Sequence, residues 1–415
     1  MDKLKLISLY TGAGGLDYGF EAAGFRTCVA VEFDHDCCRT IRANRDWPVI
    51  DANIHDTPSQ GILDAAGLPV GEVDCLIGGP PCQPFSKSAY WVNGDTKRLD
   101  DPRANTLGAF MRVVDDTLPK TFLLENVHGI SYSGKEEGFL LLARLLADIN
   151  KRRGTGYEIS WAVLNAAAYG VPQIRQRFFL VSHREGGAFR FPAPTHVTPS
   201  GRADAKPDLF DVCLEPTVTA WDAIGDMVPA PSERLHVNGR WADLLPSIPE
   251  GENYLWHTNR KCGLQLFGWR RRYWGFLLKL AKNRPSWTIQ AQPGAAIGPF
   301  HWRSRRLSVE EMARIQTFPK NLEYAGGRTS VQKQLGNAVP SLLAEVLARE
   351  IADQFFGTTL SEVRQLAVEL KRPIPPPEPV APVPRKYLSL VGDHPDHPGE
   401  GRSAKARTLW PERAK

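Results

Sequence analysis

The sequence predicts an α/β protein: a doubly wound, mostly parallel sheet with a smaller, irregular domain attached. Two observations predict this. From Leu4 to Ser182 short apolar runs alternate with helical patterns, and strand-helix alternation builds a parallel sheet covered on both faces. After Ser182 that periodicity stops, and prolines from Pro192 to Pro231 punctuate the chain instead.

The elements follow in order. Leu4 to Tyr10 reads as a strand and Leu16 to Ala23 as a helix. Thr27 to Glu32 and Asp34 to Asn44 repeat the pair. A short strand precedes Asn53. Val73 to Ile77 is a continuous apolar strand that ends at Gly78-Gly79. Ala104 to Asp115 is helical, Thr121 to Leu124 a strand, and Gly138 to Ile149 helical again. Ile159 to Leu164 and Phe178 to Ser182 are late strands. Helical patterning returns at Ser308 to Thr317, at Val339 to Phe355, and in an amphipathic piece from Ser361 to Leu370. A proline tract, Pro373 to Pro379, reads as a stiff linker, and the polar residues after it as poorly ordered. The expected division is a large domain over 1–182, a small domain over 183–300, a segment over 301–357 returning to the large domain, and a proline-rich linker with a flexible tail over 358–415.

Composition excludes several classes. No apolar run approaches the ~18 residues of a membrane helix, and the first residues lack a signal-peptide layout, so the cytosol is the expected compartment and no membrane partner is expected. Seven cysteines are an odd number and none are spaced Cys-x-x-Cys, which argues against a disulfide framework and a zinc site; no metal is expected. The net charge is +5, but its distribution says more. Between Asn253 and Val309 there is no Asp or Glu, while arginines and lysines alternate with aromatic residues, the footprint of a polyanion-binding surface. A domain whose aromatics are core and whose arginines are merely solvated has the same composition.

Strand tips carry the chemistry, because ligands of doubly wound sheets sit beyond the carboxyl ends of the strands. The first strand runs into Tyr10-Thr11-Gly12-Ala13-Gly14-Gly15, where glycines permit close backbone approach to a ligand, although a tight structural turn looks the same. Glu32 ends the next strand, about 20 residues on, where a carboxylate can accept from ribose hydroxyls. Phe33 beside it can stack on a purine, and Asn53-Ile54 can line the same pocket. Gly79-Pro80-Pro81-Cys82-Gln83 displays a cysteine in a proline-stiffened loop, as a nucleophile requires. Glu125 closes the strand from Thr121, placed to share a proton with a substrate base; a salt-bridged strand-end glutamate is the plainer alternative. In Gln173-x-Arg175-x-Arg177, alternation puts both guanidinium groups on one face.

These segments, with Arg305-Arg306-Leu307-Ser308, Arg314 to Pro319 and Gln334 to Pro340, resemble the ordered motif series of the C5-cytosine DNA methyltransferases over about residues 4 to 355. Departures are small: Tyr10 stands where phenylalanine is commoner, and Asn53 where an aspartate is common. The resemblance implies a Rossmann-like, S-adenosylmethionine-dependent methyltransferase fold. It implies that Cys82 adds to C6 of a cytosine flipped out of the duplex, that Glu125 contacts N3 and the exocyclic amine, and that Arg175 and Arg177 hold the O2 side. Tyr10, Gly12, Ala13, Gly14 and Gly15 would face the methionine part of the cofactor. Glu32 would bind its ribose, and Phe33, Asn53 and Ile54 would surround the adenine. Pro81 and Leu107 would border the sulfonium, with Asn337 and Ala338 closing the pocket. S-adenosylhomocysteine would be the product. Gln83, Ser88, Arg270, Arg271, Arg272 and Arg305 are the candidate DNA contacts. A compact monomeric prokaryotic enzyme acting on double-stranded DNA, the modification half of a restriction system with a separate endonuclease, is the expectation. An RNA-acting enzyme on the same scaffold would carry a Cys-Phe-Thr element, and here Leu214 follows Cys213 and Gly263 follows Cys262. A non-catalytic DNA-binding regulator would have lost Cys82, Glu125 or the arginine pair. The glycine spacing argues against a dinucleotide-dependent oxidoreductase.

Overall fold

The computed structural model describes residues 3–81, 105–127, 137–198, 214–270, 273–361 and 363–396. Seven strands form one sheet: β1 (Leu4–Leu9), β2 (Phe25–Glu32), β3 (Val49–Asp51), β4 (Cys75–Gly78), β5 (Thr121–Val127), β6 (Ser160–Asn165) and β7 (Gln176–His183). Helices α1 (Gly15–Ala22), α2 (His35–Asn44), α3 (Ser59–Ala66), α4 (Asn105–Thr117) and α5 (Glu137–Arg153) connect them. Downstream lie α6 (Ala220–Ile224), α7 (Val309–Ile315), α8 (Arg328–Asn337) and α9 (Ser341–Phe356).

The strand order is β3-β2-β1-β4-β5-β7-β6. β1 to β5 pair in parallel, while β7 runs antiparallel to both β5 and β6. The chain winds outward from β1 to β3, then returns to β4 on the other side. The order therefore reverses between β1 and β4, and such a reversal opens a crevice at the strand tips.

Side chains alternate across the sheet, so each face receives its own core. Ile7, Leu9, Leu76 and Phe122 pack under α3, α4 and α5, and Leu6, Cys75, Ile77 and Leu123 pack under α1 and α9. The α1–α9 contact depends on Gly19: a Cβ there would lie 2.4 Å from the Ser341 carbonyl oxygen and 2.4 Å from the Ala344 methyl.

Three helices escape the sequence reading, among them the five-residue α6 in the span read as irregular. α3 is short, and α8 is mostly polar with a narrow stripe of buried Val331 and Leu335, too weak to mark a period. In the other direction, the described residues between Ser361 and Leu370 are not helical. Its backbone is held by α9 instead: Glu345 accepts from the amides of Gln365 and Leu366, and Arg349 donates to the carbonyls of Ser361 and Val363. Those bonds replace the intrahelical ladder.

The tail up to residue 396 also departs from the expected linker. Ala381 donates to the Pro246 carbonyl, and Tyr387 is buried, stacked on Trp241 at 5.6 Å with its hydroxyl on the Arg240 carbonyl. Glu378 pairs with buried Lys282 at 3.0 Å. Large apolar surface at Trp241 binds the tail, which polar composition alone conceals.

Candidate active site

Two strand tips meet at the crevice. After β1, Tyr10, Gly12 and Gly14 all take positive φ, the last two as glycine allows, and Gly14 N-caps α1. The Tyr10 hydroxyl donates to the Thr106 carbonyl at 2.9 Å, and the Thr106 hydroxyl donates to the Pro81 carbonyl at 3.0 Å. Thr106 thus ties the β1 loop to the β4 loop, a role with no sequence signal beyond its place at the start of α4.

Across the crevice, Glu32 accepts from Gly12 N at 2.7 Å through Oε2, and from the amides of Phe33 and Asp34 through Oε1. Burial raises its pKa, and those three backbone donors act against the rise. Oε2 keeps a lone pair for a further donor. Phe33 is 63% exposed, an unusual position for an aromatic at a strand tip. Asn53 is exposed and caps a short turn through His55 N, while Ile54 is buried. Ala338 and the Val339 carbonyl close on Gly15, where any Cβ would lie 2.5 Å from that oxygen; Asn337 is exposed beside them. An acceptor carboxylate, an exposed ring and a glycine-lined turn suit a nucleoside-bearing cofactor such as S-adenosylmethionine. Leu107 is 1% exposed and belongs to the core cluster under α3, α4 and α5.

The second tip carries the polar chemistry. Glu125, on β5, is paired with Arg177 on β7: Nε lies 2.8 Å from Oε1. The antiparallel register produces this contact, since Val127 faces Arg177 and Glu125 sits diagonally on the same face. Burial raises the Glu125 pKa, while the charges of Arg177 and Arg175 pull it down. The loop after β4 passes directly over this carboxylate, and a Cβ on Gly79 would fall 2.8 Å from Oε2. Asn126 fixes that loop by donating to the Pro80 carbonyl at 3.2 Å. The loop leads to Cys82, which lies with Gln83, Ser88, Arg271 and Arg272 outside the described residues.

The two motif arginines do not share a task. Arg175 is fully buried and donates to the carbonyls of Gly336, at 2.7 Å, and Ile289, at 3.4 Å. Gly336 belongs to the last turn of α8, whose carbonyls lack intrahelical partners. Gln173, also buried, bridges Gln316 and the Ile289 amide. The segment before β7 therefore binds three distant pieces of chain together, while only Arg177 reaches Glu125.

The basic, aromatic span is partly core. Tyr254, Phe300 and Trp302 are buried, Lys279 and Lys282 are buried, and Arg305 is paired with fully buried Glu311. Arg270 donates to the Pro395 carbonyl, and Asp396 accepts from Trp269 N. Tyr273 and Trp274 remain exposed.

This fold and these strand tips define a Rossmann-like enzyme that pairs a nucleoside-cofactor pocket with a buried carboxylate-guanidinium site. The sequence profile of the C-5 cytosine-specific DNA methylase family matches residues 4–353, and the chain belongs to that family. Type II methyltransferase M.SacI of Streptomyces achromogenes is 39% identical over 375 residues, 85% of this chain and 93% of the relative. Type II methyltransferase M.NgoFVII of Neisseria gonorrhoeae is 31% identical over 363 residues, 85% and 88% of the two chains. Among solved structures, Entamoeba histolytica methyltransferase EhMeth shares the fold at a TM-score of 0.57 and 15% identity, over 85% of this chain and 99% of that one. Among the described residues no helix is long and apolar enough to cross a membrane.

Proposed function

We propose that this chain is a DNA (cytosine-5)-methyltransferase that modifies a cytosine turned out of duplex DNA, as the modification half of a type II restriction system. The observation that carries the reading is the Glu125–Arg177 pair beneath the loop leading to Cys82, set beside the Glu32 pocket at the β1/β4 reversal. When bound, S-adenosylmethionine supplies an electrophilic methyl group. Glu32, Phe33 and the Gly12–Gly15 turn are the residues that would hold it.

C5 of cytosine is a weak nucleophile, and the chain's own groups answer that. The Cys82 thiolate forms a bond to C6, which raises electron density at C5. Glu125, kept above the usual carboxylate range by burial, holds N3 and the exocyclic amine and shares a proton there. Arg177 fixes the Glu125 carboxyl and presents a guanidinium to the O2 side. Loss of the C5 proton then lets the Cys82–C6 bond break. The target atom is inaccessible in a stacked duplex, so the base must be flipped. A monomer suffices, one site serving one base.

Tritiated methyl transfer to mixed genomic duplex DNA, wild type beside Cys82→Ala, tests this. Radiolabelled 5-methylcytosine with wild type alone is expected. Transfer to tRNA with none to duplex DNA, or equal transfer by Cys82→Ala, would overturn it.

A further inference from the structure

Arg305 was the sequence's candidate DNA contact in its motif, yet its guanidinium is spent on Glu311. The next residue is in the opposite condition. Among the described residues the Arg306 guanidinium has no hydrogen bond and no acidic partner, and its Nε is buried without a partner. Arg306 and Arg328 line one cleft together with Pro293, Gly294, Ile297 and Leu307. The Arg328 Nε is also buried without a partner. Its Nη2 donates to the Leu307 carbonyl, and its Nη1 lies 3.7 Å from Glu233 Oε2, so its charge is only loosely balanced.

Two guanidinium groups line one cleft, Arg328 facing the Glu233 carboxylate and Arg306 unpaired among the described residues, and the remaining positive charge favours an anion that joins them. Arg328 also opens α8, whose N-terminus has no side-chain cap, and that adds favourable potential for an anion. The cleft reaches the motif segment that precedes β7. Its wall includes Ile289, whose amide is held by Gln173 and whose carbonyl is held by Arg175. A nucleotide drawn from the stack keeps its flanking phosphodiesters, and these must be gripped close to the base pocket.

We propose that Arg306 and Arg328 form a phosphate-binding site for the DNA backbone beside the target cytosine. This rests on the DNA-methyltransferase reading. The test is binding of a fluorescent duplex across a range of salt concentrations, for wild type, Arg306→Gln, the Arg306→Gln/Arg328→Gln double variant and the double lysine variant. For the double glutamine variant the slope of log affinity against log salt should flatten by about one, with binding weakened similarly on unrelated sequences. The lysine pair should recover most of the slope. Among the described residues Arg306 makes no side-chain hydrogen bond, so its single variant should fold and should shift the slope in the same direction even if the double variant does not fold. A folded Arg306→Gln protein with wild-type affinity and slope would overturn the site. So would a wild-type melting temperature raised by inorganic phosphate through Arg306 while the DNA slope stays unchanged, because the site would then take a free anion. Methyl transfer by the same wild-type preparation separates the two levels. Transfer with an unchanged Arg306→Gln slope removes this site alone, whereas no transfer and no DNA binding removes the functional reading and this site with it.

Discussion

Replacing Arg175 by alanine should damage the fold more than the chemistry, the reverse of what its motif position implies. Arg175 is among the largest fully buried side chains. It donates to two buried carbonyls, Gly336 at 2.7 Å and Ile289 at 3.4 Å. A charged donor on a buried acceptor contributes about 1.5–3 kcal/mol, and the longer bond belongs at the weak end or below it. Removing so large a side chain also leaves a cavity. Against this stand the cost of burying a guanidinium with an unpartnered Nε and its repulsion from Arg177, both of which press its pKa downward without removing its charge. The net expectation is a loss of about 2–4 kcal/mol. Urea denaturation followed by tryptophan fluorescence reads it, beside Arg177→Gln. The Arg177 variant should lose less stability, since Glu125 can take up a proton once its partner is gone, and should lose more of its turnover. Wild-type stability for Arg175→Ala, or a larger loss for Arg177→Gln, would refute the division of labour.

The same pair governs pH dependence. If Glu125 works in its protonated form, activity falls as pH rises through its folded pKa; Arg177 lowers that pKa, so in Arg177→Gln the alkaline limb of kcat/KM should move to higher pH, and a limb that stays or moves down would contradict the assignment. Glu32→Gln places an amide N–H among the backbone donors of Gly12, Phe33 and Asp34, so calorimetric affinity for S-adenosylmethionine should fall about tenfold or more; an unchanged Kd would remove Glu32 from the pocket. Tyr387→Ala should cost about 3 kcal/mol, measured by thermal unfolding, since the ring is buried against Trp241; a wild-type transition would mean the tail contributes nothing to the small domain.

Much of the sheet was legible because its signals are local. Apolar runs between glycine turns mark β1, β4 and β5 within a few residues, and the tips at Gly12–Gly15, Glu32, Gly79 and Glu125 follow from where those runs end. Gln173 and Asn126 were visible as motif members, but not as the residues that tie loops together, because their partners lie far along the chain. α8 was missed because only two of its ten residues, Val331 and Leu335, are buried large apolar side chains, too faint a stripe. The amphipathic look of Ser361 to Leu370 misled for the opposite reason: Glu345 and Arg349 claim its backbone groups.

By itself the sequence determined the alternation of strands and helices, the order of the motifs and the chemistry those motifs can perform, since period, turn residues and spacing are properties of neighbouring positions. Only the tertiary structure decided which partner each side chain takes. β7 enters between β5 and β6 in the antiparallel sense, and that register sets Arg177 against Glu125 while leaving Arg175 to the α8 carbonyl. Burial turned part of the basic, aromatic span into core, bound Arg305 to Glu311, and left the Arg306 guanidinium without a partner among the described residues. Charge pairing and burial depend on contacts between residues far apart in the chain, and no local pattern encodes them.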